Sequence, residues 1–233
     1  MNGPEFDRFS ASYDELLRDP IRDRFADSTS PFFHLRKRDL IRNFLRQRGI
    51  SSRSLSYLDF GCGRGELLSL LRNDFARVAG CDLSRGMLSS ADAADIRAQD
   101  LPNRIPFTDA EFDFVTAVCV YHHLALDARL AVTQEIFRVL KPGGIFAMVE
   151  HNPYNPVTRY IVSRAPIDVG AVLLKAREAR QWMSQSWLTP VSTQYFLYLP
   201  EMIYRRVGSL ERLMSKLPLG GQYVVFAKKV ASR

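Results

Sequence analysis

The apolar positions of this chain change their period as it is read from one end to the other. Before Gly49, Phe33, Leu40, Ile41, Phe44 and Leu45 recur three and four apart, which predicts a helix over 33–48 that stops at Gly49; a further helix is expected over 6–18. Between 55 and 150, short continuous apolar runs alternate with helical patterns. The runs Leu55–Phe60, Ala76–Asp82, Ile96–Asp100, Phe112–Val120 and Ile145–Glu150 predict strands. Helices are expected from Glu66, over Ser84–Ser90 and over 127–139, with Lys141-Pro142-Gly143-Gly144 turning the chain into the last of these strands. Strands that are apolar throughout need cover on both faces, so the alternation predicts an α/β, doubly wound, mostly parallel sheet. Beyond 150 the pattern becomes helix 175–187, strand 191–199, helix 201–216 and strand Gln222–Lys229.

One turn in this alternation carries chemistry. Leu58-Asp59-Phe60-Gly61-Cys62-Gly63-Arg64-Gly65 joins the first strand to the next helix. Three glycines at alternate positions let the backbone turn sharply and approach a ligand, as in nucleotide-binding corners. The spacing G-x-G-x-G differs from the dinucleotide fingerprint G-x-G-x-x-G, and no G-K-S or G-K-T follows. Asp59 beside the loop would repel a phosphate and attract an ammonium or sulfonium. S-adenosylmethionine (AdoMet) carries both cations and no phosphate, so it suits this corner better than NAD.

Two further acids complete the pattern. Asp82 ends the second strand, 17 residues after Gly65, where an acid in doubly wound folds accepts the ribose hydroxyls; the alternative, a cap on the following helix, is a task Ser84 can perform alone. Asp100 ends the third strand, where it could accept from the adenine amino group, with Leu101 supplying an N–H and an apolar wall.

These segments, with Gly80-Cys81-Asp82-Leu83-Ser84-Arg85-Gly86-Met87-Leu88, Phe112-Asp113-Phe114-Val115, His122-His123-Leu124 and Arg138-Val139-Leu140-Lys141-Pro142-Gly143-Gly144, follow one another in an order and spacing that resembles the class I AdoMet-dependent methyltransferases. The resemblance covers 55–150 and is to the small-molecule group that includes the ubiquinone and menaquinone methyltransferases. It implies a seven-stranded Rossmann-like sheet with one reversed edge strand and a cofactor-binding set of Asp59, Gly61, Gly63, Gly65, Asp82, Leu83, Asp100 and Leu101. Asn103-Arg104-Ile105 departs from the family pattern as an insertion beside the adenine-side contact.

In open α/β sheets ligands bind beyond the carboxyl ends of the strands. The ends of the fourth and fifth strands carry Tyr121-His122-His123 and Glu150-His151-Asn152-Pro153-Tyr154-Asn155-Pro156. Methyl transfer is a displacement at carbon that draws on alignment, and it needs a base only when the nucleophile must lose a proton. His151 is the leading candidate for base or substrate orienter, with His122 and His123 as further candidates; each could instead bond the local backbone. The resemblance places such a histidine pair over the cofactor in many relatives, usually in a structural role. The two Asn-Pro steps are expected to hold the chain extended after the fifth strand.

Composition limits the rest. A chain of 233 residues with 46% hydrophobic content suits one α/β domain with appendages, here an N-terminal helical lid over 1–50 and a cofactor domain over 51–233 with a helical and aromatic substrate cover around 152–220. Cys62, Cys81 and Cys119 lack metal-ligand spacing; they read as reduced thiols of a cytoplasmic enzyme, and no metal is expected. No apolar run is long enough to span a membrane and no signal core opens the chain. The net charge of +7 comes from scattered arginines and lysines, read as solvated helix faces, with attraction to an anionic or lipid-linked acceptor as the alternative. The acceptor is expected to be a small molecule methylated at O or N. Nucleic-acid methylation is disfavoured, because neither an Asn-Pro-Pro-aromatic nor a Pro-Cys signature follows the fourth strand. A non-catalytic AdoMet-binding module is the other reading kept open.

Overall fold

A computed structural model describes residues 3–26, 30–91 and 95–230, so the outermost residues of the expected spans 1–50 and 51–233 lie outside it. Seven strands, β1 (Ser56–Phe60), β2 (Arg77–Asp82), β3 (Asp95–Ala98), β4 (Phe112–Val118), β5 (Leu140–His151), β6 (Leu188–Phe196) and β7 (Gln222–Lys229), form one sheet in the order β3-β2-β1-β4-β5-β7-β6. The strands from β3 to β5 pair in parallel, and β7 runs antiparallel to both β5 and β6. The single reversal therefore lies in the closing pair, in the strand next to the edge.

Helices cover both faces, as apolar strands require. On one side α4 (Phe32–Gln47) and α5 (Glu66–Leu71) bury Ile41, Phe44, Leu67, Leu68 and Leu71, and the Phe44 ring stacks on Phe226 at 3.7 Å. On the other, α7 (Ala128–Val139) and α9 (Ala176–Gln185) bury Val132, Ile136, Ala179 and Met183 against Phe146 and Val225. Three short helices, α1 (Gly3–Phe9), α2 (Tyr13–Leu16) and α3 (Pro20–Phe25), precede α4; the first two divide the single helix expected over 6–18, and α3 was not expected. The short helix α6 is Arg85–Leu88.

Three regions depart from the sequence expectation. Lys141 through Gly144 belong to β5 rather than to a turn before it: Leu140 pairs with Phe112, the register shifts before Phe114, and Lys141 Nζ holds Asp113 at 2.7 Å. The second Asn-Pro opens a helix, α8 (Pro156–Arg164), instead of continuing an extended loop. Asn155 caps it by accepting from the Thr158 N–H at 2.9 Å, and Pro156 takes the first helical position, where its missing N–H costs nothing. The third departure concerns charge. Arg36 and Lys37 are not on a solvated face; they are 8% and 6% exposed. Helix α10 (Glu201–Met214) covers Arg36, whose guanidinium donates to Glu211 and to the Tyr204 hydroxyl and lies 3.7 Å over the Tyr204 ring.

A buried pair costs most when only one partner is removed. Glu211→Ala is expected to destabilise the protein by about 3 kcal/mol, measured by urea unfolding, because it strands a buried guanidinium. The joint replacement R36M/E211L should recover most of that loss; a double variant no more stable than Glu211→Ala would show that the pair does not hold α10 to α4.

Candidate active site

The carboxyl ends of β1, β2, β4 and β5 open into one cavity of about 730 Å³. Its floor is the glycine turn. Gly61, Gly63 and Gly65 all sit at positive φ, +71°, +53° and +76°. The N–H groups of Gly61 and Cys62 both donate to the Cys81 carbonyl, at 2.8 and 3.1 Å, which pins the turn to the end of β2. Asp82 closes it from the other side. One carboxylate oxygen accepts from the Gly63 N–H at 2.9 Å and the other from the Ser84 N–H at 2.8 Å. Asp59 is 3% exposed and accepts from the Thr116 hydroxyl at 2.5 Å. Burial pushes its pKa up to about 7, with the hydrogen bond from Thr116 and the Lys37 charge pulling the other way.

The N-terminal helices lie against this floor. The Asp7 carboxylate accepts from the Gly86 N–H at 2.9 Å and the Ser84 hydroxyl at 2.5 Å, and these bonds hold its pKa down. Arg64, inside the glycine turn, donates to Asp14 and to the Ser10 carbonyl at 2.9 and 2.8 Å. Phe6 meets the His123 ring edge-on at 5.0 Å.

Residues 58–148 match the family model for a methyltransferase domain. The demethylmenaquinone methyltransferase of Lactococcus lactis is 30% identical over 178 residues, 69% of each chain. The chain belongs to the AdoMet-dependent methyltransferase family. AdoMet is accordingly its cofactor. An uncharacterized methyltransferase of Synechocystis is 36% identical over 102 residues, 42% of this chain and 48% of that one. A probable tRNA methyltransferase 9B of Bos taurus is 29% identical over 59% of this chain and 31% of its own. This chain thus spans less than half the length of these two relatives. Among solved structures, an AdoMet-dependent methyltransferase of Thermotoga maritima superposes with a TM-score of 0.67 at 17% identity, over 96% of this chain and 98% of its own. The cyclase SpnF superposes with 0.65 at 16% identity, over 99% and 96%. At such identities the likeness is one of fold, and a fold does not by itself fix the reaction.

In this methyltransferase, Asp59, Gly61, Gly63, Asp82 and the three histidines line the one cavity. Gly65 stands beneath it as the N-cap of α5, and Leu83 lies half-buried beside Asp82, outside the lining. Asp100 and Leu101 are not brought to it. Asp100 pairs with Arg85 at 3.3 Å on the surface, and Leu101 is 57% exposed. The reason is the turn after β3: the inward-facing residue is Gln99, which donates to the Arg104 carbonyl at 3.1 Å, so the chain folds around the inserted residues and carries its neighbours outward. Neither Asp100 nor Leu101, expected at the adenine, is thus part of the cavity lining.

The histidines divide into unlike members. His122, in a short 3-10 turn over 121–123, is 2% exposed; its Nδ1 lies 2.6 Å from Glu150, and its Nε2 3.4 Å from Asp168. Burial opposes its charge, yet Glu150 and Asp168 outweigh burial and hold its pKa up to about 9. His123 and His151 are instead lowered to about 4, by burial first and by the His122 charge second, so both are neutral near pH 7. Cys119 sits at φ +56°, and burial pushes its thiol up to about 12, so it is no thiolate nucleophile.

Sequence patterns did not single out Lys37, Arg22 or His34 as cavity residues, nor Asp168 and Gln222. Lys37 makes no ion pair among the described residues. Arg22 donates to the Leu17 carbonyl at 2.7 Å, and the His34 Nδ1 is buried without a hydrogen-bond partner among the described residues. Their helical stretches carry no motif; a buried lysine without a carboxylate is visible only once α3 and α4 are folded over the sheet.

A Cβ added at Gly61 would stand 2.5 Å from Val120 Cγ2. Gly61→Ala should therefore lower stability by about 2–3 kcal/mol in thermal or urea unfolding, with φ strain of roughly 1–2 kcal/mol inside that figure. Adding Val120→Ala should relieve the clash and leave the φ strain. A Gly61→Ala protein as stable as the parent would show that the turn is not this tightly packed.

Proposed function

We propose that this chain transfers the methyl group of AdoMet to an oxygen or nitrogen of a small acceptor that carries an anionic group. The observation that supports the reading most directly is the single cavity. It joins the glycine turn and Asp82 to Cys119, His151 and Gln222, at the ends of β4, β5 and β7. Donor and acceptor in one cavity can be held in line, which is the principal demand of a methyl displacement, and alignment alone can supply roughly 7–11 kcal/mol. Asp82 receives the ribose hydroxyls in this reading and Asp59 draws the cationic end of the methionine moiety. His151, the residue after Glu150 at the end of β5 and part of the cavity lining, orients the acceptor or takes its proton. His122, whose Nδ1 is already bonded to Glu150, serves by position.

Lys37 and Arg22 favour an anionic acceptor, since both line the cavity and neither makes an ion pair among the described residues, which leaves them able to attract a carboxylate or phosphate. The cavity is lined on one side by α1–α3 and on the other by α8 and the turn carrying Asp168, which suits a small molecule better than an RNA. The relatives named for menaquinone synthesis point the same way, and those named for tRNA set the competing reading. Free thiols at Cys62, Cys81 and Cys119 suit a reducing compartment, and no helix among the described residues is long and apolar enough to cross a membrane.

Calorimetry should show AdoMet and S-adenosylhomocysteine binding at micromolar levels with NAD silent, and Asp82→Ala should weaken AdoMet binding by about tenfold or more, the loss of at least one good hydrogen bond to a charged group. A panel of carboxylated and phosphorylated phenols and amines, run beside bulk tRNA, should yield S-adenosylhomocysteine only with the small acids. Turnover on tRNA alone would overturn the acceptor class. Turnover on none, with AdoMet bound, would favour the non-catalytic module.

The binding should also depend on pH. Asp59 is protonated in the free protein below about 7, and a bound cation favours its ionised form. Affinity for AdoMet is therefore expected to fall as pH drops through 7, by up to about tenfold per unit, and to level off above it. The charges facing Asp59 are Lys37 on α4, Asp82 on β2 and Glu66 on α5. Asp59→Asn should flatten the profile; an unchanged slope in that variant would assign the titration elsewhere.

A further inference from the structure

The cluster at the far end of the cavity holds more ligand atoms than a methyl transfer uses. The Nε2 atoms of His122 and His123 each lie 3.4 Å from the same oxygen, Oδ1 of Asp168. All three atoms fall within 4.8 Å of one another. A separation of 3.4 Å is long for a hydrogen bond, whose usual N···O range ends near ~3.2 Å. It is, however, the spacing of two ligands on one ion: bond lengths of about 2.0–2.1 Å in a tetrahedral arrangement put neighbouring ligand atoms roughly 3.3–3.4 Å apart.

The surroundings are those of a built site. Glu150, 0% exposed, takes His122 Nδ1 at 2.6 Å and also accepts from the Tyr121 N–H at 2.7 Å. An ion binding at Nε2 displaces the proton that the charged ring carries there, while the bond to Glu150 keeps the other proton on Nδ1 and turns Nε2 toward Asp168, the relation in which a carboxylate orients a metal-bound histidine. The backbone holds Asp168 to the pair from a distance in sequence. Val172 N–H donates to the His122 carbonyl at 2.8 Å, and Arg129 donates to the Val172 carbonyl at 2.7 Å, so the segment after Asp168 is stapled to the histidine turn. His122, His123 and Asp168 all line the cavity, which leaves its open side free for an exchangeable ligand.

We infer that His122, His123 and Asp168 form a binding site for a divalent first-row transition ion of the Zn²⁺ type, with its remaining position open to the cavity. Two imidazoles and one carboxylate suit such ions better than Mg²⁺ or Ca²⁺, which favour oxygen ligands. The ion's position beside the acceptor space deepens the methyl-transfer reading by naming the acceptor atom: an oxygen that binds the ion there is polarised, and its proton is lost more easily. The absence of metal-ligand spacing in the sequence does not bear on this site, because its third ligand arrives from the segment between α8 and α9.

The test needs no acceptor. Untagged protein stripped with a chelator is titrated with Zn²⁺ and with Co²⁺ alone, by calorimetry, elemental analysis after desalting and the Co²⁺ absorption spectrum. The expected result is about one ion per chain, with a thermal stabilisation that rises with ion concentration as binding to the folded state requires. His123→Ala and Asp168→Asn should each weaken binding by at least about tenfold, and Glu150→Gln by about 10–100-fold, the usual cost of losing an orienting partner. His34→Gln should leave it unchanged. AdoMet binding is measured on every variant, which separates a lost ion from a lost fold and separates this site from the cofactor reading. A stripped protein that binds AdoMet but takes up neither ion would overturn the inference, as would binding that survives Asp168→Asn.

Discussion

The whole arrangement hangs on the lack of room at Gly61. The turn after β1 must bring its N–H groups onto the Cys81 carbonyl while passing under Val120, and no side-chain atom fits between them. That close passage aligns three things at once. It sets Asp82 under Gly63, keeps Asp59 buried at the end of its strand, and lets the start of the histidine segment press on the glycine turn. The glycine turn and the histidine segment therefore share one contact, and a shift in either is felt by the other, because packed interiors have no slack to absorb it.

A second constraint ties the far wall together. The β4 and β5 ends are neighbours in the sheet, and the Glu150 carboxylate bridges them by accepting from the Tyr121 N–H and holding His122. A fully buried carboxylate is costly unless its lone pairs are occupied, and here they are. The same pair sets the state of the other histidines: the His122 charge is one reason that His123 and His151 are neutral, so the cluster is divided by electrostatics into one charged and two uncharged rings.

What could be read in the chain before folding, and what could not, follows from the range of the interactions. The strands from Ser56 to His151 and the glycine turn are written in local patterns, namely apolar runs, glycine spacing and acids at strand ends, and these emerged nearly where expected. β7 is bounded by the same residues, Gln222 and Lys229, that its apolar run marks out. The histidines were visible as polar residues at strand ends. Asp168 was not, since nothing near it in sequence shows that a turn between two helices will reach His122. Lys37 and Arg36 were misread for a related reason: a helix face looks solvated until it is known that α10 and the cavity lie against it. Asp100 shows the opposite case, standing on the surface beside Arg85 and outside the cavity lining. Its local signal was strong, and a turn of inserted residues carried it outward.

The charge along the cavity suggests why such a site would be buried at all. Asp59, Glu66 and Asp82 stand at the donor end, Lys37 and Arg22 across from Cys119, and the histidine cluster beyond them. AdoMet brings a sulfonium, and an acceptor drawn by Lys37 and Arg22 brings an anion. If the attacking atom itself is anionic, transfer of the methyl group cancels both charges, so the transition state is less charged than the bound reactants. Excluding water penalises the separated ions more than the transition state, and fixed dipoles replace the solvent without having to reorganise. A buried cavity then favours the reaction where an open one would stabilise the reactants. Helices α1 and α2, fastened by Asp7 to Ser84 and Gly86 and by Asp14 to Arg64 of the glycine turn, would supply that exclusion only when that turn is in place.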